Sequence, residues 1–255
     1  MGAKIPVSVV VIARNEEDRL ADCLASAGWA DEILVVDDGS TDRTVAIAQA
    51  RGARVLQRRM DVEGRHRNWA YAQAKHPWVF SLDADERVTP ELEAEIRTLF
   101  RETPSFEAYA VPRRTFLGKR LICHGGWYPS SQLKLFKREV FRWEEVEVHP
   151  RAIYDRPWGR LRNDLLHYSY RDIADFIAKL NRQTSWEAKK WVDDKRPMSL
   201  ARAVRKAADR FLRAYLLKRG YRDGTLGFLL AVFGGWYQLL SYAKYWELTQ
   251  PAKDR

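Results

Sequence analysis

Short apolar runs that end at polar or acidic residues constrain the fold of this chain more than any other feature. Residues 7–13 (VSVVVIA) form a continuous β-branched run, as expected for a strand buried on both faces of a parallel sheet. Residues 32–37 (EILVVD) and 78–82 (WVFSL) repeat the pattern, and residues 53–57 predict a shorter strand between them. The first third of the chain therefore predicts a sheet with little solvent on either face.

Helical segments are predicted between these strands. They cover residues 16–26 with Asn15 as the N-cap, residues 42–51, residues 65–75, and a further helix that begins at Pro90. Strictly alternating strands and helices predict an α/β fold, a doubly wound sheet with right-handed crossovers. In such sheets, ligands bind beyond the carboxyl ends of the strands.

Two acidic clusters are predicted at that edge of the sheet. Asp37-Asp38-Gly39-Ser40 follows one strand, and Asp83-Ala84-Asp85-Glu86 follows another. No GxGxxG or GxxxxGK[ST] motif follows any strand, so the phosphate loops of dinucleotide enzymes and P-loop NTPases are missing from the sequence. An acidic crevice without such a loop predicts that a divalent cation, Mg²⁺ or Mn²⁺, bridges carboxylate and phosphate.

The second half of the chain is patterned differently. Strands are predicted over 109–116 and 132–136, separated by the loop HGGWYP at residues 124–129, and helical periodicity dominates from Arg171 onward. The predicted organisation is one α/β domain over residues 1–170 and a helical, basic and aromatic C-terminal region over residues 171–255.

Charge is also divided unequally. The formal net charge is +10, made up of −5 over residues 1–110 and +15 over residues 111–255. A basic second half indicates an anionic partner, which could be nucleic acid, an acidic membrane surface or a phosphorylated substrate. Cys23 and Cys123 lack a CxxC or Cys/His context, and the N-terminal apolar run is short for a signal peptide, so a reducing, cytoplasmic location is expected.

The last apolar stretch, from Thr225 to Ala243, contains no charged residue. Its length could just span a bilayer, but several Gly and polar residues dilute its hydrophobicity, which favours an interfacial or membrane-dipping helix pair. The preceding segment supports this with seven basic residues: Arg202, Arg205, Lys206, Arg210, Arg213, Lys218 and Arg219. A helical subdomain with a basic solvated face is an equally open alternative.

Three of these segments, VSVVVIARNEE, EILVVDDGSTDRT and WVFSLDADE, together resemble family 2 of the inverting nucleotide-sugar glycosyltransferases, which have the GT-A fold. The later GGWYP, QLKLF, VHP and LLHYSYRDIADFIAKLNRQT stretches resemble the bacterial lipopolysaccharide-core β-glucosyltransferase subgroup. The resemblance implies metal-dependent transfer of a hexose from a nucleotide-diphosphate sugar, and a UDP-sugar is the expected donor. The implied acceptor is a lipopolysaccharide core or another anionic glycolipid. The basic second half would then be explained by this anionic acceptor and an anionic membrane surface, and the C-terminal region predicts a peripheral position on the inner face of the cell membrane.

The resemblance assigns nucleotide-sugar binding to residues near the strand ends. Asp37 and Asp38 correspond to the acidic pair that recognises base and ribose, although turn and capping chemistry is an alternative for both. The other members of the set are Asn15 and Glu17 at the nucleotide edge, Arg67 and Asn68 within GRHRN, and Asp83 at the ribose. Helix capping is the alternative role for Asn15. For Arg67 and Asn68, the alternative to ligand contact is a place on an exposed, charged helix face.

The resemblance assigns the cation to the family's DxD motif. Asp83 and Asp85 match that motif, whose cation stabilises the departing nucleoside diphosphate. His167 is the residue expected to complete the metal shell, with His149 as a second candidate. The subgroup commonly has an acidic residue after the first histidine, whereas this sequence has Pro150.

Catalysis with inversion requires one carboxylate that removes the proton of the acceptor hydroxyl. The candidates are Glu145 and Glu144, with Glu147 on the same strand face as Glu145 if the segment is extended. Trp127 and Tyr128 are the candidate acceptor-stacking residues, with core packing as the alternative.

Two other functions compete with this interpretation. A polyprenyl-phosphate sugar transferase would share the donor half of the chain. A nucleic-acid-binding module would explain the sequence pI of about 9.6. It would leave the two acidic strand ends unexplained, so no nucleic-acid partner is expected.

Overall fold

The computed structural model describes residues 3–146 and 150–250, which form two compact units. One unit contains residues 1–114 and 130–167, and the other contains residues 115–129 and 168–255. Strands β7 and β13, defined below, carry the chain from the first unit into the second. The first unit is mixed α/β and the second is mainly helical, which confirms the predicted fold class.

The strands and helices share the alternating order that the sequence predicts for the first half. The strands are β1 (Ile5–Ala13), β2 (Ala30–Asp37), β3 (Arg54–Gln57), β4 (Trp78–Asp83), β5 (Glu86–Val88), β6 (Ala108–Val111), β7 (Arg113–Leu117), β8 (Arg120–Ile122), β9 (Gln132–Lys137), β10 (Arg142–Trp143), β11 (Ala152–Ile153), β12 (Gly159–Arg160) and β13 (Leu165–Tyr170). The helices are α1 (Leu20–Ser26), α2 (Thr44–Ala50), α3 (Glu63–Ala72), α4 (Pro90–Arg101), α5 (Ile173–Asp193), α6 (Leu200–Leu212) and α7 (Gly224–Thr249).

A seven-stranded mixed sheet forms the centre of the first unit, in the order β12-β6-β9-β4-β1-β2-β3. Strands β1 to β4 are parallel, whereas β9 runs antiparallel to both β4 and β6. The β-branched run in β1 places Val9 and Val11 in one apolar cluster and Val10 in another, because successive side chains point to opposite faces. Both faces are therefore covered, as the continuous apolar runs predict.

Two predicted elements of the first unit differ from the structure. Helix α1 begins at Leu20 instead of residue 16, and Asn15 does not cap it, because its backbone is left-handed (φ 54°) and its side chain binds a different loop. The strand predicted over residues 109–116 is two strands, β6 and β7. They separate at Pro112, which has no N–H to donate to a ladder.

The second unit contains α5, α6, α7 and the β7–β8 hairpin. Its core joins Leu117 and Ile122 of the hairpin region to Phe176 and Leu180 of α5 and to Leu226 of α7. Residues 225–243 form part of α7, which packs against α6, so the structure contains a helix pair where the sequence predicts one, and its position at a membrane stays a prediction. The stretch Gly220–Thr249 is long and apolar enough to cross a bilayer, judged by length and composition.

Candidate active site

The two acidic strand ends lie on either side of the carboxyl end of β1. Ala13 is in register with Asp37 of β2, and Ile12 is in register with Asp83 of β4. Two interstrand spacings of about 4.8 Å place the Asp37 and Asp83 backbones about 10 Å apart. The predicted meeting of the acidic clusters at one edge of the sheet is therefore observed.

The carboxylate of Asp37 is used within its own loop. It accepts hydrogen bonds from the backbone N–H groups of Gly39 (3.1 Å) and Ser40 (3.2 Å) and is 1% exposed. Asp38 instead accepts from the backbone N–H of Met60 at 2.6 Å, and its other oxygen lies 3.6 Å from Arg14. The geometry thus separates the pair into a loop-closing residue and a residue that faces the β3–α3 segment.

A cavity of about 280 Å³ lies beside this loop. Its lining residues are Asp37, Gly39, Ser40, Gln57, Arg58 and Arg59. Residue 39 has φ +73°, a backbone conformation that favours glycine, and the guanidinium of Arg59 lies in the space next to it. The cavity combines carboxylate and guanidinium groups at a strand end.

Asn15 and Glu17 connect the β1–α1 loop to the β2–α2 loop. The amide oxygen of Asn15 accepts the N–H of Thr41 at 2.8 Å, and Glu17 pairs with Arg43 at 3.0 Å. Both side chains therefore fix the shape of the edge next to Asp37.

Asp83 lies between two cations. One carboxylate oxygen is 2.9 Å from the Lys134 ammonium, and the other is 3.3 Å from Arg67. Burial raises the pKa of Asp83, but the charges of Lys134 and Arg67 outweigh burial and hold it well below its usual range. Asp83 is therefore ionised, with both oxygens directed at protein cations.

Lys134 and Glu86 complete this network; the sequence placed Glu86 in an acidic cluster without a role of its own, and Lys134 was not predicted. Lys134 is 3% exposed and lies 2.6 Å from Glu86, which is fully buried, accepts the N–H of Asp83 at 3.0 Å and also pairs with Arg113 at 3.4 Å. Burial lowers the pKa of Lys134, but the two carboxylates raise it above its ordinary value. The sequence signal was weak, because Leu133 and Leu135 point away from Lys134; of the apolar residues nearby on the strand, only Phe136, two residues on, shares its strand face.

Asp85 has different neighbours from Asp83. One of its oxygens lies 3.5 Å from His167 Nε2 and 3.9 Å from Arg19. His167 of β13 is in register with Glu86 of β5, so strand pairing brings the imidazole to the Asp83-Ala84-Asp85 turn. The two residues predicted to share a cation are thus adjacent, although 82 positions separate them in the sequence.

No group of three or more His, Cys, Asp or Glu side chains is arranged as a metal cluster within residues 3–146 and 150–250. Mg²⁺ and Mn²⁺ at nucleotide sites need only one or two protein ligands, because substrate phosphates and water supply the rest. A carboxylate and an imidazole that are both partly exposed suit such a cation.

Arg67 and Asn68 of α3 point in different directions. Arg67 pairs with Glu63 at 3.0 Å as well as with Asp83, and its guanidinium lies 5.6 Å from the centre of the Trp143 ring. Asn68 binds the backbone of Trp143 twice, as acceptor at 2.7 Å and as donor at 3.0 Å. Arg67 thus faces the acidic centre, whereas Asn68 holds the end of β10.

A second cavity of about 270 Å³ opens beside Asp83. It is lined by Glu63, Arg67, Ser81, Asp83, Arg113, Gln132, Leu133, Lys134, Trp143 and Pro150. Its mixed carboxylate, guanidinium and indole lining suits a polar ring such as a sugar.

The candidate bases follow β10. The strand ends at Trp143, so Glu144 and Glu145 do not alternate along it as predicted; Glu147 and His149 lie outside the described residues. Glu145 binds Arg65 at 3.1 Å and Asn68 at 3.3 Å, and these hydrogen bonds lower its pKa. A Cβ on Gly64 of α3 would lie 1.9 Å from the Glu144 carbonyl oxygen, so glycine permits this close approach.

Trp127 and Tyr128 belong to the second unit. Trp127 packs with Tyr170 and Phe176 at ring-centre distances of 6.1 and 6.4 Å, as an aromatic core residue does. Tyr128 is partly exposed. Packing in the second unit thus accounts for the position of Trp127 without a ligand.

Comparisons with known proteins are consistent with this architecture. The model of the family described as "Glycosyl transferase family 2" matches residues 8–158. The lipopolysaccharide core biosynthesis glycosyltransferase LpsC of Rhizobium meliloti is 27% identical over 256 residues, covering 96% of this chain and 93% of the relative. An uncharacterized glycosyltransferase of Rickettsia typhi is 26% identical, covering 97% and 89%.

Solved structures share the fold at low sequence identity. The mannosyltransferase PcManGT of Pyrobaculum calidifontis, solved with GDP-Man and Mn²⁺, has a TM-score of 0.54 and 13% identity, covering 97% of this chain and 88% of that chain. S. aureus TarS (residues 1–349) has a TM-score of 0.50 and 15% identity, covering 98% and 93%. The fold is thus the GT-A-like mixed α/β fold predicted from the sequence.

Proposed function

Because this chain belongs to glycosyl transferase family 2, we propose that it transfers a hexose, with inversion, from a UDP-sugar to a lipopolysaccharide-core or other glycolipid acceptor. The observation that carries the proposal is the placement of Asp37 and Asp83 on either side of the β1 end. That arrangement provides one acidic strand end, with Asp38 next to Asp37, for a nucleoside, and a second strand end, with Asp85 next to Asp83, for the cation at its diphosphate. The likeness to LpsC supports the class of acceptor.

Asp38 and the cavity beside the loop of residues 37–40, which Asp37 lines, are the proposed nucleoside site. Asp37 closes the loop with its carboxylate, and Asp38 retains an oxygen that only Arg14 approaches, at 3.6 Å, among the described contacts. A carboxylate of this kind accepts hydrogen bonds from a base N–H or a ribose hydroxyl. Asn15 and Glu17 support the site by holding the two loops together.

Asp85 and His167 are the proposed cation ligands. The cation, Mg²⁺ or Mn²⁺, would neutralise the diphosphate of the leaving nucleotide. Asp83 is proposed to lie beside them and to accept a hydrogen bond from a ribose hydroxyl. It is not proposed as a cation ligand, because Lys134 and Arg67 already face its two oxygens and repel a further cation. Arg67 would also offer its charge to the phosphates.

Glu145 is the proposed base, with Glu144 as the alternative. Glu145 is exposed and hydrogen-bonds Asn68. Asn68 also binds the backbone of Trp143, a residue that lines the cavity next to Asp83. A sugar hydroxyl in that cavity would lose its proton to a carboxylate as the donor carbon is attacked from the opposite side. Tyr128, which is exposed, remains a proposed acceptor-stacking residue, whereas the Trp127 ring is used in packing with Tyr170 and Phe176.

A screen of nucleotide sugars tests the proposal most directly. Thermal stabilisation and donor hydrolysis would be measured with UDP-glucose, UDP-galactose, UDP-N-acetylglucosamine and GDP-mannose, each with Mn²⁺, with Mg²⁺ and with EDTA. We expect metal-dependent stabilisation by one UDP-sugar, followed by transfer to lipopolysaccharide-core acceptor in membrane fractions. Stabilisation by GDP-mannose alone would reject the UDP assignment. Transfer only to a polyprenyl phosphate would reject the acceptor class.

A further inference from the structure

Helix α7 exposes an apolar stripe on the side that faces away from the core of its unit. The stripe contains Phe228, Val232, Trp236 and Trp246, spaced so that all lie on one helix face, and Trp236 is 53% exposed. The opposite face is buried, with Leu226 and Leu230 packed in the cluster that contains Phe176. An uncharged stripe of this length on a surface helix is unusual unless it is covered.

The end of α6 and the turn after it extend this stripe. Val204 and Leu212 of α6 are exposed, as is Leu216 of the following π-helical turn (Arg213–Leu217), and Leu217 at its end is 78% exposed. The ring of Phe228 contacts Phe211 and Tyr215, so the exposed positions of α6 and α7 adjoin on one side of the helix pair. We call these residues of both helices and the turn the α6–α7 apolar surface.

Basic residues adjoin the exposed apolar residues of α6 and of the following turn along the sequence. Between residues 199 and 223 there are eight basic residues against two acidic ones; the basic set is Arg202, Arg205, Lys206, Arg210, Arg213, Lys218, Arg219 and Arg222. Of the two carboxylates, Asp209 pairs with Arg213 at 3.0 Å, and Asp223 binds His124 at 2.7 Å. The segment therefore presents a large positive surplus next to exposed leucine and aromatic side chains.

We propose that the α6–α7 apolar surface docks on an anionic phospholipid bilayer, with Leu217 and Trp236 in the headgroup boundary and the basic residues against lipid phosphates. Exposed apolar side chains with adjoining cations match that surface in both polarity and charge. The docking proposal rests on the proposed function in one respect only: the proposed lipid-borne acceptor gives the enzyme a reason to lie at the membrane.

The packing of α7 places it along the membrane surface instead of across the bilayer. Helices α5 and α6 both pack against α7 and both carry charged residues, among them Arg182, Lys190 and Arg205. The Lys244 ammonium of α7 also bonds the side chains of Asn181 and Ser185 in α5. A spanning α7 would draw these charges into hydrocarbon, which is costly.

Vesicle sedimentation of the full chain tests the proposal. Vesicles of phosphatidylcholine alone are compared with vesicles containing 30% phosphatidylglycerol, at low and high salt. We expect much stronger binding to the anionic vesicles at low salt, and about a hundredfold weaker binding to them for Arg205→Gln/Lys218→Gln/Arg219→Gln, since each basic residue at an anionic surface contributes about 1 kcal/mol, or about fivefold. The matched control is Arg51→Gln/Arg101→Gln/Arg162→Gln, three exposed arginines of the first unit.

The apolar contribution is tested with Leu217→Ser/Trp236→Ser against the control Trp158→Ser, another exposed tryptophan, in the first unit. Part of the wild-type vesicle binding should persist at high salt. The surface variant should lose this salt-resistant part, and the control variant should keep it. UDP binding with Mn²⁺ is measured for every variant by calorimetry and should be unchanged, so failure of the donor assignment is seen separately. Wild-type protein that ignores anionic vesicles at low salt overturns the proposal. So does a wild-type dimer in sedimentation velocity that the surface variant converts to monomer, because a second copy would then cover the surface.

Discussion

The ammonium of Lys134 lies 2.9 Å from a carboxylate oxygen of Asp83, on a lysine side chain that is almost fully buried. The same ammonium bonds the buried Glu86. Removing one partner of a buried ion pair leaves an uncompensated charge, whereas removing both charges together costs much less. This relationship lets the supporting network be tested separately from the chemistry.

Lys134→Met should lower the free energy of unfolding by about 3–5 kcal/mol. Adding Glu86→Gln should restore a large part of that loss, because fewer buried charges then lack a partner. Urea denaturation measures both. Lys137→Met is the control on the same strand, where a half-exposed pair with Glu107 contributes about 1 kcal/mol or less. Equal losses at residues 134 and 137 would contradict the buried network.

Asp85→Asn should weaken Mn²⁺-dependent UDP binding and reduce transfer about 10- to 100-fold or more, since the amide keeps the shape but loses the charge that a cation needs. His167→Ala should act in the same direction. Calorimetry with and without Mn²⁺ measures the effect, and the melting temperature should stay near that of the wild type. The control is Asp22→Asn on α1. If metal-dependent UDP binding survives in both variants, Asp85 and His167 are rejected as the cation ligands.

Asp38→Asn should weaken UDP affinity about tenfold while leaving the turnover rate at saturating donor unchanged, because recognition groups act on binding more than on the chemical step. The asparagine oxygen can still accept the Met60 N–H. Asp38→Ala should in addition lose about 1–3 kcal/mol of stability, because that N–H is left without its acceptor. Unchanged UDP affinity in Asp38→Asn would reject the nucleoside role.

The sequence predicted the elements that hydrophobic periodicity determines. The strands of the parallel sheet and their acidic ends follow from continuous β-branched runs and strand-end placement, and both are observed. Contacts between distant residues could not be derived this way. The Lys134 bond to Glu86 spans 48 positions, and the Asn68 bonds to the Trp143 backbone span 75.

Local competition explains the misplaced boundaries. Asn15 is a residue type that commonly caps helices, but its amide oxygen binds Thr41 in the neighbouring loop. The helix starts at Leu20, four residues later than predicted. Glu144 and Glu145 lie beyond a strand of only two residues, so alternation does not orient them. In both places a tertiary contact decides what the local pattern leaves open.

The burial of the His66 imidazole predicts that the free energy of unfolding depends on pH. Its imidazole is fully buried on α3, and neither ring nitrogen has a hydrogen-bond partner in the part of the chain that the structure describes. Burial and the nearby Arg58 lower its pKa, and Arg67 on its own helix adds to this, whereas Asp38 and Asp61 act in the opposite direction. The folded state therefore holds this histidine neutral.

Because the folded pKa lies below the unfolded value near 6.5, the unfolded chain binds a proton more readily. Stability from this residue is complete above that value and decreases as the pH falls through it. Urea unfolding at pH 7.5, 6.5 and 5.5 should show this decrease in the wild type and a smaller one in His66→Gln. His76→Gln, at a histidine that pairs with Asp31, is the comparison. An identical pH dependence in wild type and His66→Gln would contradict the prediction.

Glu145→Gln should lower the turnover rate about a hundredfold or more, because the amide keeps the shape of the side chain but cannot accept the acceptor's proton. Donor binding should survive. The hydrogen bonds from Arg65 and Asn68 hold the Glu145 pKa below its ordinary value of 4.5, so the rate should fall only at more acidic pH, where this carboxylate is protonated. Arg65→Met removes the first of these bonds and should move the acidic limb of the pH–rate profile upward, an effect that a purely structural glutamate would not produce. Glu144→Gln is the matched control. A large loss there or in Glu147→Gln would transfer the role of base to that residue, and three active variants would place the base outside this segment.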